Sequence, residues 1–271
     1  MPIFTVDDCA ADLLEPDEVS RPLVTLGANF ESRGFELEPH SHRKAQLMLS
    51  MSGTLTCEAA GGLWIVPPQC ALWIPPEIRH GIKGSGTIES YSAFFDPACA
   101  SRLPSDCCAI AVSPLLRELV IRSARFPAHY PDEGIESHVA TLLLDEIAEA
   151  PVSKMQHVPM PEEPRLRKIV ETLMRSPADR GTLASWAKLV GLSERTISRL
   201  VLQETGMTFG RWRQQISIVC AIQWMARGMS IQKIAIDLGY ESAGGFVTMF
   251  RKAMGISPGR YMAGRAAEVP A

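Results

Sequence analysis

A pattern written twice in the C-terminal part of the chain restricts the fold more than any other feature. The stretch from Thr182 to Trp212 reads TLASWAKLVGLSERTISRLVLQETGMTFGRW, and that from Ser230 to Tyr261 reads SIQKIAIDLGYESAGGFVTMFRKAMGISPGRY. Ala187 and Gly191 match Ala235 and Gly239 at an offset of 48. Ile197 and Gly206 match Phe246 and Gly255 at an offset of 49, so the second copy has one extra residue in its turn.

Each matched position has a physical purpose. A small alanine lets a second helix cross close over the first. The glycine adopts the left-handed conformation that ends the first helix. Ser193 and Ser242 can cap the next helix, and Glu194 places negative charge at a helix N-terminus. Two helices joined by a short glycine-bearing turn make a helix-turn-helix, whose second helix enters the major groove of DNA. Between the copies, Arg211–Arg227 is apolar at Trp212, Ile216, Val219 and Ile222. A helix of that length spans about 25 Å, a strut suited to hold two recognition helices near the ~34 Å repeat of the groove.

Charge follows the same division. Residues 160–271 hold 16 basic and 9 acidic residues, a net of +7, while residues 1–159 hold 11 and 21, a net of −10. A basic segment joined to an acidic one suits a polyanion-binding domain beside a partner domain. The length of 271 residues fits two domains. Residues 151–164, PVSKMQHVPMPEEP, are proline-rich and aperiodic, and read as a linker between a domain of 1–150 and one of 165–271. No run of 18 apolar residues suggests a membrane span, and the acidic N-terminus MPIFTVDDCAADLLEPDE lacks a signal-peptide pattern. The expectation is a cytoplasmic protein. Its seven cysteines, none in C-x-x-C spacing, read as reduced thiols.

Residues 20–97 read as β-structure. Short apolar runs (Leu23–Leu26, Phe35–Leu37, Leu47–Met51, Leu55–Cys57, Leu63–Val66, Ala71–Ile74, Ile88–Phe95) are separated by turn formers at Gly53-Thr54, Gly61-Gly62, Pro67-Pro68, Pro75-Pro76 and Gly84-Ser85-Gly86. That rhythm predicts a small barrel or sandwich. Helical periodicity takes over at 114–125 and 135–149, in helices that pack on the barrel or pair between two subunits.

The C-terminal run FxxMFRKAMGISPGRY, with the two hairpins before it, resembles the signature of the AraC family over about a hundred residues. The resemblance implies a DNA-binding domain with two helix-turn-helix units, acting on promoter DNA beside RNA polymerase, commonly as an activator. It implies groove-facing positions Arg195, Thr196, Ser198 and Arg199 behind the cap Ser193, and Ala243, Gly244, Val247 and Thr248 behind Ser242, with Arg251 and Lys252 on phosphates. The first set can read bases, arginine bidentately on guanine, whereas the second has no long polar side chain. The chain departs from the family at Ser217 and Cys220, where relatives usually carry arginines.

Two further runs resemble cupin motifs. Gly34-x5-His40-x-His42-x3-Gln46-x6-Gly53 is similar to the first, with Gln in place of the usual Glu, and Pro75-Pro76-Glu77-Ile78-Arg79-His80 to the second, with Glu77 in place of Gly. The resemblance implies an α+β protein, a cupin-like barrel followed by an all-α domain, with His40, His42, Gln46 and His80 in one inner pocket. These groups suit a divalent transition metal or a metal-free pocket for a small organic effector. Trp64 and Trp73, on neighbouring strands, are added to the effector-binding set. Three readings stay open: an effector-responsive, homodimeric and nucleoid-associated bacterial regulator; a metal-dependent cupin enzyme; and a metal or redox sensor.

Overall fold

The computed structural model describes residues 15–32, 35–66, 70–153, 157–179 and 181–263. Gly34, the Pro67-Pro68 turn and the N-terminal 14 residues of the sequence analysis lie outside them. The described residues fall into two compact units, an N-terminal one ending at 155 and a C-terminal one beginning at 156, to which 61–63 also belong. The whole is α+β.

The N-terminal unit contains β1 (Leu23–Ser32), β2 (Glu36–His40), β3 (Ala45–Ala59), the part of β4 (Gly62–Val66) from Trp64 on, β5 (Cys70–Ile74), β6 (His80–Phe95), β7 (Cys108–Ala111), α1 (Pro114–Ser123), α2 (Ile135–Glu149) and β8 (Val152–Ser153). Neighbours in the sheet run β1-β6-β3-β5-β7-β8, with β2 also on β6 and β4 on β3. Alternation along the strands builds two cores. Leu47, Leu49, Trp73, Tyr91, Ala93 and Phe95 meet Leu116, Leu119, Val120, Leu143 and Ile147 of the helices. Met48, Leu55, Cys57, Leu72, Ile74, Ile82 and Ile88 fill the other face with Trp64. The sheet is therefore buried on both sides, as a barrel wall with helices outside it must be.

Two expected turns are absent. Gly53-Thr54 lies inside β3 and Gly84-Ser85-Gly86 inside β6. The register of β3 on β6 shifts between Ser50 and Ser52 and again between Ser52 and Thr54. Gly53 and Gly86 both have positive φ, at 70° and 86°. A side chain at Gly86 would come 3.8 Å from the Gly53 Cα. The glycines thus serve opposed bulges that bend two long strands together instead of ending them.

The C-terminal unit contains β9 (His157–Pro159), α3 (Pro164–Arg175), α4 (Leu183–Val190), α5 (Glu194–Thr205), α6 (Phe209–Ala226), α7 (Ile231–Asp237), α8 (Ala243–Met254) and α9 (Pro258–Ala263). The repeated Ala-x3-Gly is a helix-closing device. Leu192 N–H reaches the Ala187 carbonyl (2.9 Å) and Gly191 N–H that of Lys188 (3.4 Å). Forty-eight residues on, Tyr240 N–H reaches Ala235 (2.8 Å) and Gly239 N–H reaches Ile236 (2.7 Å). Gly191 and Gly239 hold φ of 66° and 77°. Both pairs form a Schellman motif, which satisfies the last carbonyls and turns the chain into the next helix.

The expected linker 151–164 is more ordered than its prolines suggest. It contributes β8 and β9, and α3 begins at Pro164. The Trp212 indole donates to the Pro159 carbonyl (3.0 Å), and the Glu204 carboxylate accepts from the N–H groups of Glu162 (2.8 Å) and Glu163 (3.1 Å). Proline forbids helix here but suits extended backbone, which α6 and α5 then hold in place. Trp212→Ala is expected to destabilise the C-terminal unit by about 3–5 kcal/mol, seen as an earlier transition in urea. Trp212→Phe should recover most of that loss, failing only to replace the indole bond.

Candidate nucleic-acid interface and ligand pocket

Helix α5 buries Ile197, Val201 and Thr205 and exposes Arg195, Ser198, Arg199, Leu202 and Gln203, with Thr196 half-buried. Ser193 Oγ accepts from Thr196 N–H at 3.1 Å, capping the helix behind this face. Arg199 donates to Gln203 Oε1 (3.3 Å), and among the described residues no carboxylate pairs with Arg195 or Arg199. Two guanidinium groups without a carboxylate partner among the described residues thus share one exposed helical face.

Helix α8 is the repeat's counterpart. Ser242 Oγ accepts from Gly245 N–H (3.2 Å), and Phe246 and Phe250 are buried. Gly244, Thr248, Arg251 and Lys252 are exposed, while Ala243 and Val247 are half-buried. A Cβ at Gly244 or Gly245 would meet nothing nearer than 3.7 Å. Packing within the unit therefore does not call for glycine at either position. Lys252 and Arg211 share a cleft of about 360 Å³ with Gln214, Gln215 and Ile218. At the family departures, Cys220 is buried in the core and burial pushes its thiol up to about 12. Ser217 Oγ donates back to the Arg213 carbonyl (3.2 Å). A charged side chain has no room at Cys220.

In the N-terminal unit three histidines converge. His40 ends β2 and pairs in register with His80, the first residue of β6. A Cβ at Gly81 would lie 3.3 Å from the Leu37 carbonyl and from Pro39 Cγ, so glycine lets β2 close onto β6 there. Ring centroids of His40 and His42 lie 4.5 and 5.0 Å from that of His80, and ligand-capable nitrogens of all three lie within 4.8 Å of one another. Each ring makes the same outward bond. His40 Nδ1 meets the Glu38 carbonyl (2.9 Å), His80 Nδ1 that of Ile78 (2.8 Å), and His42 Nδ1 that of Lys44. A carbonyl only accepts, so each Nδ1 carries a proton, and each Nε2 lies on the other side of its ring. Burial pushes His80 down to about 4, against its bond to Ile78 and aided by His40 and His42, so its ring is neutral near pH 7. Gln46 donates to Ser92 Oγ (2.9 Å) and turns Oε1 toward His42 Nε2 (3.2 Å). Phe94 packs edge-on to His42, with centroids 5.1 Å apart.

Residues 23–132 match the model of the AraC-like ligand binding domain, and residues 186–264 that of a helix-turn-helix domain. The HTH-type transcriptional regulator NimR of Escherichia coli K12 is 38% identical over 249 residues, 92% of this chain and 90% of that protein. The chain belongs to the AraC family. It is a transcription regulator with a ligand-binding domain followed by a DNA-binding one. The HTH-type transcriptional regulator RipA of Corynebacterium glutamicum is 28% identical over 45% of this chain and 37% of its own. Among solved structures, ToxT of Vibrio cholerae aligns over 89% of this chain and 98% of its own, with 14% identity and a TM-score of 0.38. No helix among the described residues is long and apolar enough to cross a membrane.

In this regulator the structure gathers His40, His42, Gln46 and His80, but not both tryptophans. Trp73 pairs with Leu47 while Ile74 pairs with Gln46, so alternation turns Trp73 to the opposite face of the sheet from Gln46. Trp73 is fully buried beneath the helices and its indole donates to the Pro104 carbonyl (2.8 Å). It is a core residue and, contrary to the sequence-based expectation, does not belong to the effector-binding set. Trp64 belongs to the core on the Gln46 side of the sheet, its indole donating to Ala59 (3.1 Å). Ser92 and Phe94 were missed, although their spacing of two along β6 is the signal for a shared face. Lys44 was missed too. It is fully buried, and Nζ donates to the carbonyls of Val19 (2.7 Å) and Arg21 (2.8 Å) while Asp17 accepts from the N–H groups of Arg43 and Lys44. This latch fixes the loop that carries His42. Burial raises the thiols of Cys57 (to about 12), Cys99, Cys107 (to about 11) and Cys108, the opposite of a reactive thiolate.

Glu77 explains why the cupin motif usually has glycine at its position. Its φ is 63°, in the left-handed region, and its N–H donates to the His42 carbonyl (3.0 Å). That bond joins the loops that carry His42 and His80. A side chain there costs about 1–2 kcal/mol. Glu77→Gly is therefore expected to raise the thermal midpoint of the N-terminal unit, by up to about 1 kcal/mol once glycine's greater unfolded freedom is subtracted. A fall would mean that the Glu77 carboxylate itself holds the turn.

Proposed function

We propose that this regulator binds specific promoter DNA chiefly through the exposed face of α5 and changes its occupancy when a small molecule enters the histidine pocket. The observation that carries the reading is the exposed pair Arg195 and Arg199, with no carboxylate partner among the described residues, on a capped helix inside a duplicated helix-turn-helix. Helix α8 has no long polar reader beyond Arg251 and Lys252 near its end, so its part is backbone contact. The role is regulatory and not enzymatic, a reading that the similarity to transcription regulators along 92% of the chain supports. RNA polymerase is the partner on DNA, and a second copy pairs through the helices of the N-terminal unit. Ile135 and Leu142, seven residues apart on α2, are both exposed, which supports such pairing.

The route from pocket to helices is short. In β3, Gln46 faces the pocket while Ala45 and Leu47 face the helix-covered core. In β6, Ser92 touches Gln46 and Ala93 lies in that core. A ligand that shifts these strands alters the bed on which α1 and α2 rest, provided that it binds one arrangement better than the other.

Gel-shift and footprinting titrations on the native promoter test the DNA reading. Arg199→Ala is expected to cost about 1–3 kcal/mol of binding and to relax the preference at one base pair. Lys252→Ala should weaken all sequences alike and lower the slope of log affinity against log salt by roughly one. Unchanged affinity and preference in Arg199→Ala would remove α5 as the reader. Gly244→Ala separates two roles for that glycine: folding stability is expected to rise by about 0.5–1 kcal/mol while promoter affinity falls, because the added methyl stands between backbone and DNA. Equal or tighter binding would assign Gly244 no role on DNA.

A further inference from the structure

We propose that Arg211 and Gln214 of α6 close with Lys252 of α8 on one backbone phosphate of the bound duplex, so that the strut between the two hairpins is itself an anchor. The inference rests on the DNA-binding reading and adds a site to it, since Arg211 and Gln214 lie outside both recognition helices. First, the cleft that these residues share with Gln215, Ile218 and Ala253 is lined by two cations and no acidic residue. Arg211 and Lys252 are exposed, and among the described residues neither pairs with a carboxylate. Like charges from two helices repel in one cleft, and an anion between them turns that repulsion into attraction.

Second, Arg211 stands in the first turn of α6, which contains no acidic residue. A cation there opposes the positive end of the helix dipole, and a bound anion reverses the sign of that interaction. Third, the cleft continues the exposed stripe of α8. Gly244, Thr248 and Lys252 follow one another at steps of four, on one face of the helix. A duplex laid on Gly244 and Thr248 runs its backbone toward Lys252, and α6 forms the far wall of the cleft. Gln214 adds an uncharged amide donor. Gln215 keeps a buried Oε1 without a hydrogen bond, an acceptor for N–H groups that a guanidinium does not spend on a phosphate.

Ethylation interference on the native promoter, with the full chain, tests the anchor, because ethylating a linkage removes its charge. One linkage that matters to wild type is expected to matter less to Arg211→Ala and to Lys252→Ala, and not at all to the double variant. Each single variant should bind about three- to tenfold more weakly, and Arg211→Lys, which keeps a point charge for phosphate, should recover most of the loss. Urea unfolding of Arg211→Ala should match wild type, since the side chain is exposed. Changes at two different linkages, or at none, overturn the shared anchor. So does binding of inorganic phosphate or pyrophosphate to the DNA-free chain that Arg211→Ala abolishes while every linkage keeps its interference, which would assign the cleft to a soluble ligand. Base preference in Arg199→Ala is read separately: if it is unchanged while Arg211→Ala loses its linkage, the α5 reading fails and the anchor stands.

Discussion

Strict alternation of side chains along β3 and β6 is the constraint on which the N-terminal unit depends. Because consecutive residues point to opposite faces, one strand serves two environments at once. Gln46, Ser92 and Phe94 look toward the histidines, while Leu47, Ala93 and Phe95 lie under α1 and α2. The histidine cluster and the helix bed are separated by the thickness of a single backbone. A register slip of one residue would exchange them, and the opposed bulges at Gly53 and Gly86 act as markers that pin the pairing.

The C-terminal unit relies on a different economy. Its architecture is set by backbone closures that recur with the same spacing, so the surfaces of α5 and α8 are free to diverge. Helix α5 carries Arg195 and Arg199 on its exposed face and α8 two glycines, while the helix before each closes with the same pair of hydrogen bonds.

Much of this was legible in the amino-acid order, because alanine, glycine and capping serine report local backbone demands that tertiary context does not override. The caps at Ser193 and Ser242 and the left-handed Gly191 and Gly239 follow from short-range rules, whereas the convergence of His40, His42, Gln46 and His80 was legible only through the resemblance to cupin motifs. What was not legible depended on distant partners. Glycine in a strand signals either a turn or a bulge, and only the neighbouring strand decides, so Gly53 and Gly84–Gly86 were read as turns. Trp73 shares a strand with Ile74 but not a face, and its assignment needed the register against β3. The proline-rich stretch before α3 looked structureless because its bonds are made by Glu204 and Trp212, far along the chain. Lys44 gave no local hint that two carbonyls of an earlier segment would enclose it.

The two recognition helices are closed alike but furnished differently. With α5 as the base reader, as proposed above, target sites should inherit that inequality: the half of an operator under α5 would tolerate few base changes, while the half under α8 could drift. New promoters could then be recruited by acquiring one short strict word beside a permissive tract, a lower hurdle than matching two words at fixed separation.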